Sequence, residues 1–258
     1  MTSPAETYRV YAIKYAHHER RSSANFLGGD THDVPMPLDY FVWAVVGRDR
    51  SWLVDTGFDQ AGADKRGRRI TRPIDEGLAS VGIQAADVQD VIITHMHYDH
   101  AGNRDLFPNA RYHVQDEEMS FCTGRCMCHR PLSVHFEPED VASMVHKVFK
   151  GRVAFHDGDD EIAPGLTVHR MGGHTAGLQV VRVKTEKGWM VLASDASHFY
   201  ANIEQKRPFP AVYNVGDTLE AYRRIYSLAD SPQLVIPGHD PMVLERFPSA
   251  GEEIVRLA

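Results

Sequence analysis

Residues 8–15, 40–46 and 52–55 form predominantly apolar runs rich in β-branched and aromatic side chains. The pattern predicts three strands, with the turn at 47–50 joining the second and third into a hairpin. A helical period then follows. Ile74, Leu78 and Val81 share one helical face, Pro73 suits a first turn and Gly82 an ending, so a helix is expected over 73–81. Residues 88–94 read as a mostly apolar strand. A second helix is expected over 138–150, with Val141, Met144, Val145 and Val148 as its stripe and Gly151 as its stop. Strands follow at 166–170, 178–184 and 189–194. Next come a helix over 217–229, with Asp217 and Glu220 as a capping pair, a strand at 233–236 and a terminal helix over 249–257. No repeat interrupts this order, which stacks helices on sheets in an α/β chain. Pattern alone leaves open one central sheet or two packed together.

The chain has 258 residues and enough apolar content for a sizeable core. Its net charge of −7 argues against a nucleic-acid partner, which needs a basic face. One basic stretch, Lys65, Arg66, Arg68, Arg69 and Arg72, reads as a solvated loop face, the alternative being the steering of an anionic substrate. No apolar run is long enough to span a membrane. The polar first eight residues lack a signal-peptide core, so a cytoplasmic protein is expected. Cys122, Cys126 and Cys128 are an odd, clustered set. They read as reduced thiols, with a small metal site including His129 as the alternative.

The chemistry concentrates at Thr94-His95-Met96-His97-Tyr98-Asp99-His100-Ala101-Gly102, directly after a buried strand. His95 and His97 project to one side of an extended segment, and Asp99 and His100 lie on the following turn. That spacing differs from two histidines on one helical face, and it suits two adjacent metal ions. Further ligands are available at three other strand ends: His174 after Gly172-Gly173, Asp195 after Ser194, and His239 after Pro237-Gly238. Functional groups are often held on loops carried by a rigid sheet.

In this order of motifs, together with Asp55-Thr56-Gly57, the chain resembles the metallo-β-lactamase superfamily over roughly residues 40 to 240. The resemblance implies a four-layer αββα sandwich, with residues 1–258 as a single domain. It implies a first metal on His95, His97 and His174, a second on Asp99, His100 and His239, and Asp195 bridging them. Such catalytic sites keep a position open for water. Two divalent ions are expected, Zn²⁺ first, with Fe, Mn and Co also compatible with these ligands. Asp55 is expected to orient a ligand histidine, and Asp99 to shuttle protons as well as bind metal.

Within the superfamily the chain looks most like the N-acyl homoserine lactonases, which implies a quorum-quenching lactonase. One position departs. That branch usually carries a tyrosine three residues after the bridging Asp, where this chain has His198, with Tyr200 two further on. His198 is therefore a candidate catalytic donor to the substrate, titrating near neutrality; the alternative is a solvent-facing loop residue. Other readings are a hydrolase of a different lactone or carboxylic ester, a glyoxalase II-like thioesterase, and an iron-dependent persulfide dioxygenase. Related lactonases are often dimers, so a homodimer is open. Met36, Phe107, Phe199, Phe209 and Tyr213 are candidate pocket residues, although core packing is the plainer reading. Residues 122–135 read as either a lid or a packed loop.

Overall fold

The computed structural model describes residues 6–258. Its strands are β1 (Arg9–His18), β2 (Leu38–Val46), β3 (Ser51–Val54), β4 (Arg69–Ile70), β5 (Asp90–Ile92), β6 (Arg111–Gln115), β7 (Val153–His156), β8 (Asp160–Ala163), β9 (Leu166–Arg170), β10 (Gln179–Thr185), β11 (Gly188–Ser194), β12 (Val235–Pro237), β13 (Ser249–Gly251) and β14 (Ile254–Arg256). A nine-stranded sheet runs β13-β14-β1-β2-β3-β5-β6-β7, with β4 beside β1, and a five-stranded sheet runs β12-β11-β10-β9-β8.

Alternation along the strands explains why two sheets form and why each is covered on both faces. In β2, Phe41, Trp43 and Val45 meet Val168, Val181, Val183 and Leu192 of the second sheet. The intervening Tyr40, Val42 and Ala44 pack on the other side, with Ile74, Leu78 and Met144 of helices Ile74–Ser80 and Pro138–Phe149. The outer face of the second sheet packs Val180, Val191 and Ala193 against Tyr222 and Ile225 of helix Val215–Leu228. The layers are thus helix, sheet, sheet, helix, and the choice that pattern left open resolves to two packed sheets. Among the described residues, no helix is long and apolar enough to cross a membrane.

Two local expectations fail. The terminal helix is instead β13 and β14, because Ile254 and Arg256 pair with Ile13 and Tyr11 on the exposed edge of β1. Edge pairing sends Ile254 to the core under the helices and Val255 and Leu257 to the core between the sheets, a burial on both faces that a strand allows and a surface helix does not. The helix expected from 217 begins at Val215, and its cap is Asn214, whose side chain accepts from Asp217 N at 3.2 Å, rather than Asp217 with Glu220.

Candidate functional site

Strand direction brings the candidate residues to one edge. β9 and β11 both run antiparallel to β10, and β12 runs parallel to β11, so β9, β11 and β12 end on the same side. His174, Asp195 and His239 follow those three ends. β5 of the other sheet delivers Thr94 to the same edge, where its carbonyl accepts from Gln179 N at 2.9 Å. The His95–His97 segment leaves from there, and Tyr98–Ala101 is a short helix that turns Asp99 and His100 inward.

All seven residues proposed as ligands converge and are buried. One group of ligating atoms comes from His95, His97, His174 and Asp195; a second comes from Asp99, His100 and His239. The Asp195 carboxylate lies between them. Its Oδ2 is 3.2 Å from His174 Nε2 and 3.8 Å from His95 Nε2, while its Oδ1 is 2.9 Å from His239 Nε2 and 3.3 Å from His100 Nε2. Asp99 Oδ2 approaches His100 Nε2 at 3.7 Å and His239 Nε2 at 3.8 Å. Gly238 allows this crowding, since a Cβ there would lie 2.7 Å from Asp195 Oδ1.

The rings are held by their other nitrogens. His174 Nδ1 bonds the Ala211 carbonyl at 2.6 Å, His239 Nδ1 the Asp39 carbonyl at 2.9 Å, and His100 Nδ1 meets Asp55 Oδ2 at 2.8 Å. This fixes the tautomer and aims each Nε2 at the centre. Asp55 also accepts from Thr94 N at 2.7 Å and Thr94 Oγ1 at 2.8 Å. Asp55 and Ser194 both take left-handed backbone, with φ of 64° and 45°; these sparsely populated conformations border the centre.

His95 Nε2, His100 Nε2 and Asp195 Oδ1 are buried without a hydrogen-bond partner. Buried polar atoms are normally paired, so several orphans aimed at one point fit a cation bound among them. Burial, reinforced by the neighbouring rings, holds His95 and His97 well below the usual imidazole range, which leaves them neutral as ligands must be. Burial opposes ionisation of Asp195, but His198, His239 and His100 outweigh it and hold the carboxyl well below its usual range.

His198 is 4% exposed, which excludes the solvent-facing reading. Its ring stacks on Phe209 at 3.7 Å between centroids, and its Nε2 faces Asp195 Oδ2 at 3.1 Å. Burial pushes its pKa down to about 3, so the expectation of titration near neutrality does not hold. Tyr200 packs under Arg246, in the core between the sheets, and does not take the place of the missing tyrosine.

A cavity of about 210 Å³ opens above this centre. Of the candidate pocket residues, Phe209 lines it. Phe107 and Phe199 are buried in the core, Met36 packs against that core, and Tyr213 lies half-exposed against Phe121. Residues 122–135 form two short helical turns, Arg125–Cys128 and Arg130–Ser133, mostly at the surface, and the last part of the segment, with Val134 and His135, reaches the cavity wall. The three cysteines are free thiols, Cys122 buried and Cys128 exposed. Sequence reasoning missed Tyr40 and Tyr98, whose hydroxyls lie 3.3 Å apart at the wall. It also missed Arg20, and it read Arg66 and Arg68 as a solvated face although both line the cavity. Glu118 was missed as well. Its buried carboxylate accepts from Met96 N at 2.8 Å, Thr175 Oγ1 at 2.6 Å and Gly177 N at 3.1 Å, tying the His95–His97 segment to the His174 loop. Only glycine fits at 177, where a Cβ would lie 2.0 Å from Glu118 N.

Comparison with known proteins agrees with this architecture. The family model of the metallo-beta-lactamase superfamily matches residues 36–239. An N-acyl homoserine lactonase of Bacillus cereus is 26% identical over 204 residues, covering 73% of this chain and 76% of its own. A Mycobacterium tuberculosis protein named as a probable metallo-hydrolase is 24% identical over 226 residues, covering 73% of this chain and 70% of its own. The crystal structure of a quorum-quenching N-acyl homoserine lactone lactonase superposes with a TM-score of 0.74 at 25% identity, over 92% of this chain and 94% of that one. The motif order, the two packed sheets and the match across most of the chain lead to one assignment: the chain belongs to the metallo-beta-lactamase superfamily.

Proposed function

We propose that this chain is a dinuclear metal-dependent lactonase that hydrolyses the ester bond of a lactone, with N-acyl homoserine lactones as the first class to test. The observation that carries the reading is the placement of Asp195 between two histidine groups, one facing each carboxylate oxygen. The likeness to lactonases in sequence and fold supports it. His95, His97 and His174 would hold one ion, Asp99, His100 and His239 the other, with Asp195 shared and Zn²⁺ as the resident metal. Bound there, the ions would supply the activated water and the carbonyl polarisation of two-metal hydrolysis.

The chain's own residues do the rest. Asp99, on the cavity wall, is placed to take the proton that the attacking water gives up and to pass it to the leaving oxygen as the ester bond breaks. His198 holds Asp195 through Nε2, and its stack on Phe209 closes one wall against water. Tyr40 and Tyr98 supply hydroxyl donors on the facing wall. Residues 1–258 act as one domain in this reading.

The test is a substrate screen on purified protein of measured metal content. It compares acyl-homoserine lactones of varied chain length, simple γ- and δ-lactones, aryl esters and S-lactoylglutathione. Lactones are expected to turn over and the thioester is not; brisk thioester turnover with inert lactones would overturn the assignment. Asp195→Ala should lose metal and activity together, by about a thousandfold or more in kcat/KM. Full activity in a metal-depleted Asp195→Ala protein would reject the mechanism.

A further inference from the structure

Three arginines, Arg20, Arg66 and Arg68, line the cavity that holds the His/Asp centre. Arg66 and Arg68 flank Gly67 where one short helix ends, while Arg20 comes from the segment just after β1, and all three are half-buried. Arg66 is partly balanced, since its Nη2 is 3.6 Å from Glu137 Oε2, a carboxylate shared with Lys65. Arg20 and Arg68 differ. Among the described residues, neither has a carboxylate within ion-pair distance, and their partners are neutral. Arg20 Nε donates to Asn25 Oδ1 at 2.8 Å, with its guanidinium over the Phe209 ring. Arg68 Nε donates to the Tyr98 hydroxyl at 3.2 Å, and its Nη1 to the Arg66 carbonyl at 2.7 Å.

A half-buried guanidinium without a counter-charge is costly to the fold, so a pair of them at one cavity calls for an anion supplied from outside. The lining mixes apolar and charged character, with Leu38, Val134, Phe209 and the rings of Tyr40 and Tyr98 set beside the arginines and the His/Asp centre. A cavity of about 210 Å³ has room for a compact molecule, and the arginines on its wall favour one that carries an anionic group.

We propose that the substrate of this chain carries a carboxylate of its own, and that Arg20 and Arg68, assisted by Arg66, bind it while the His/Asp centre receives the lactone ring. The planar guanidinium fork matches a carboxylate with two parallel hydrogen bonds. The substrate class is therefore a small anionic lactone. This inference rests on the lactonase reading for the identity of the reacting group, but not for the anion site.

The experiment uses the metal-loaded protein and a matched pair, 5-oxotetrahydrofuran-2-carboxylate and its neutral carboxamide. The acid should be preferred by about tenfold or more in kcat/KM, and the preference should shrink as salt is added. Arg20→Met and Arg68→Met should each lower the acid-to-amide ratio by about tenfold, through KM, with Arg68→Lys intermediate. Damage to the fold lowers both rates and leaves the ratio unmoved. An amide preference in the wild type, or a ratio unchanged in both variants, overturns the proposal. Calorimetric titration with glutarate and with butyrate tests the anion site without turnover. Glutarate should bind about tenfold more tightly, and the double variant should erase the margin. Inert lactones with that margin present would sink only the lactonase reading; absence of the margin in the wild type would sink the anion site.

Discussion

The floor and the rim of the cavity hold their side chains in different ways. On the floor, six histidine and aspartate ligands cluster around Asp195, nearly all sealed from solvent, and most of the rings are fixed by a second bond from behind. On the rim, Arg20 and Arg68 stay half-buried and lean on neutral partners, an amide, a phenol and a backbone carbonyl. The floor also falls wholly within the span matched by the family, whereas Arg20 lies outside it. A floor built that way commits the site to one kind of chemistry. A rim held by a few replaceable bonds can decide what enters without disturbing that chemistry.

Breaking the floor from beneath should have the largest effect. Glu118→Ala strips the acceptor from Met96 N, Thr175 Oγ1 and Gly177 N at once, leaving buried donors unpaired. The expected cost is about 3–5 kcal/mol in urea denaturation, with metal affinity falling as the two ligand loops separate. Glu118→Gln, which keeps one carbonyl acceptor, should recover part of that loss. Equal stability of wild type and Glu118→Ala would show that the loops do not depend on this clamp.

A smaller effect is expected one step closer to the centre. Asp55→Asn keeps the shape but removes the charge that faces His100 Nδ1. Metal affinity should fall about 10–100-fold, the usual range for a group that orients a ligand histidine. A competitive chelator titration reads this directly. An unchanged affinity would mean that His100 is oriented by the backbone alone, and that the floor is less tightly specified from behind than the hydrogen bonds imply.

The same contrast governs what the sequence made visible. His95, His97, Asp99, His100, His174, Asp195 and His239 were legible because each follows a strand beside small or turn residues, and short-range spacing carries that signal. β2 and β9 were legible for a similar reason, since alternation and apolar runs are local. Glu118 was not, because it lies in helix Asp116–Thr123, whose first turn is acidic and reads as solvated. Its role exists only once Gly177 is packed against it. β6 escaped because its buried positions include His113 and Gln115, polar residues paired across strands, which break the apolar pattern. The basic stretch misled for the opposite reason. Lys65 and Arg69 are exposed as expected, yet Arg66 and Arg68 alternate inward beside them, and only tertiary packing separates the two pairs.

Arg104 sharpens the comparison, because it is a half-buried arginine outside the cavity that does have a carboxylate. Its Nη1 lies 3.1 Å from Asp140 Oδ1 on helix Pro138–Phe149. Burial outweighs this ion pair and pushes the Asp140 carboxyl up to about 7. Between about pH 4 and pH 7, therefore, the unfolded chain has released this proton while the folded chain retains it. Folding is favoured below that window, and the contribution is lost as pH rises through about 7. Asp140→Asn cannot ionise, so its stability relative to wild type should improve between pH 5 and pH 8, by on the order of 1–2 kcal/mol after allowance for solvent screening. Denaturation of both metal-loaded proteins at the two pH values isolates this carboxyl, since the other titrating groups are common to both. A relative stability that stays flat with pH, or moves the other way, would mean that the Arg104 pair outweighs burial, and that the fold holds this carboxylate ionised as an ordinary counter-charge of the kind Arg20 and Arg68 lack.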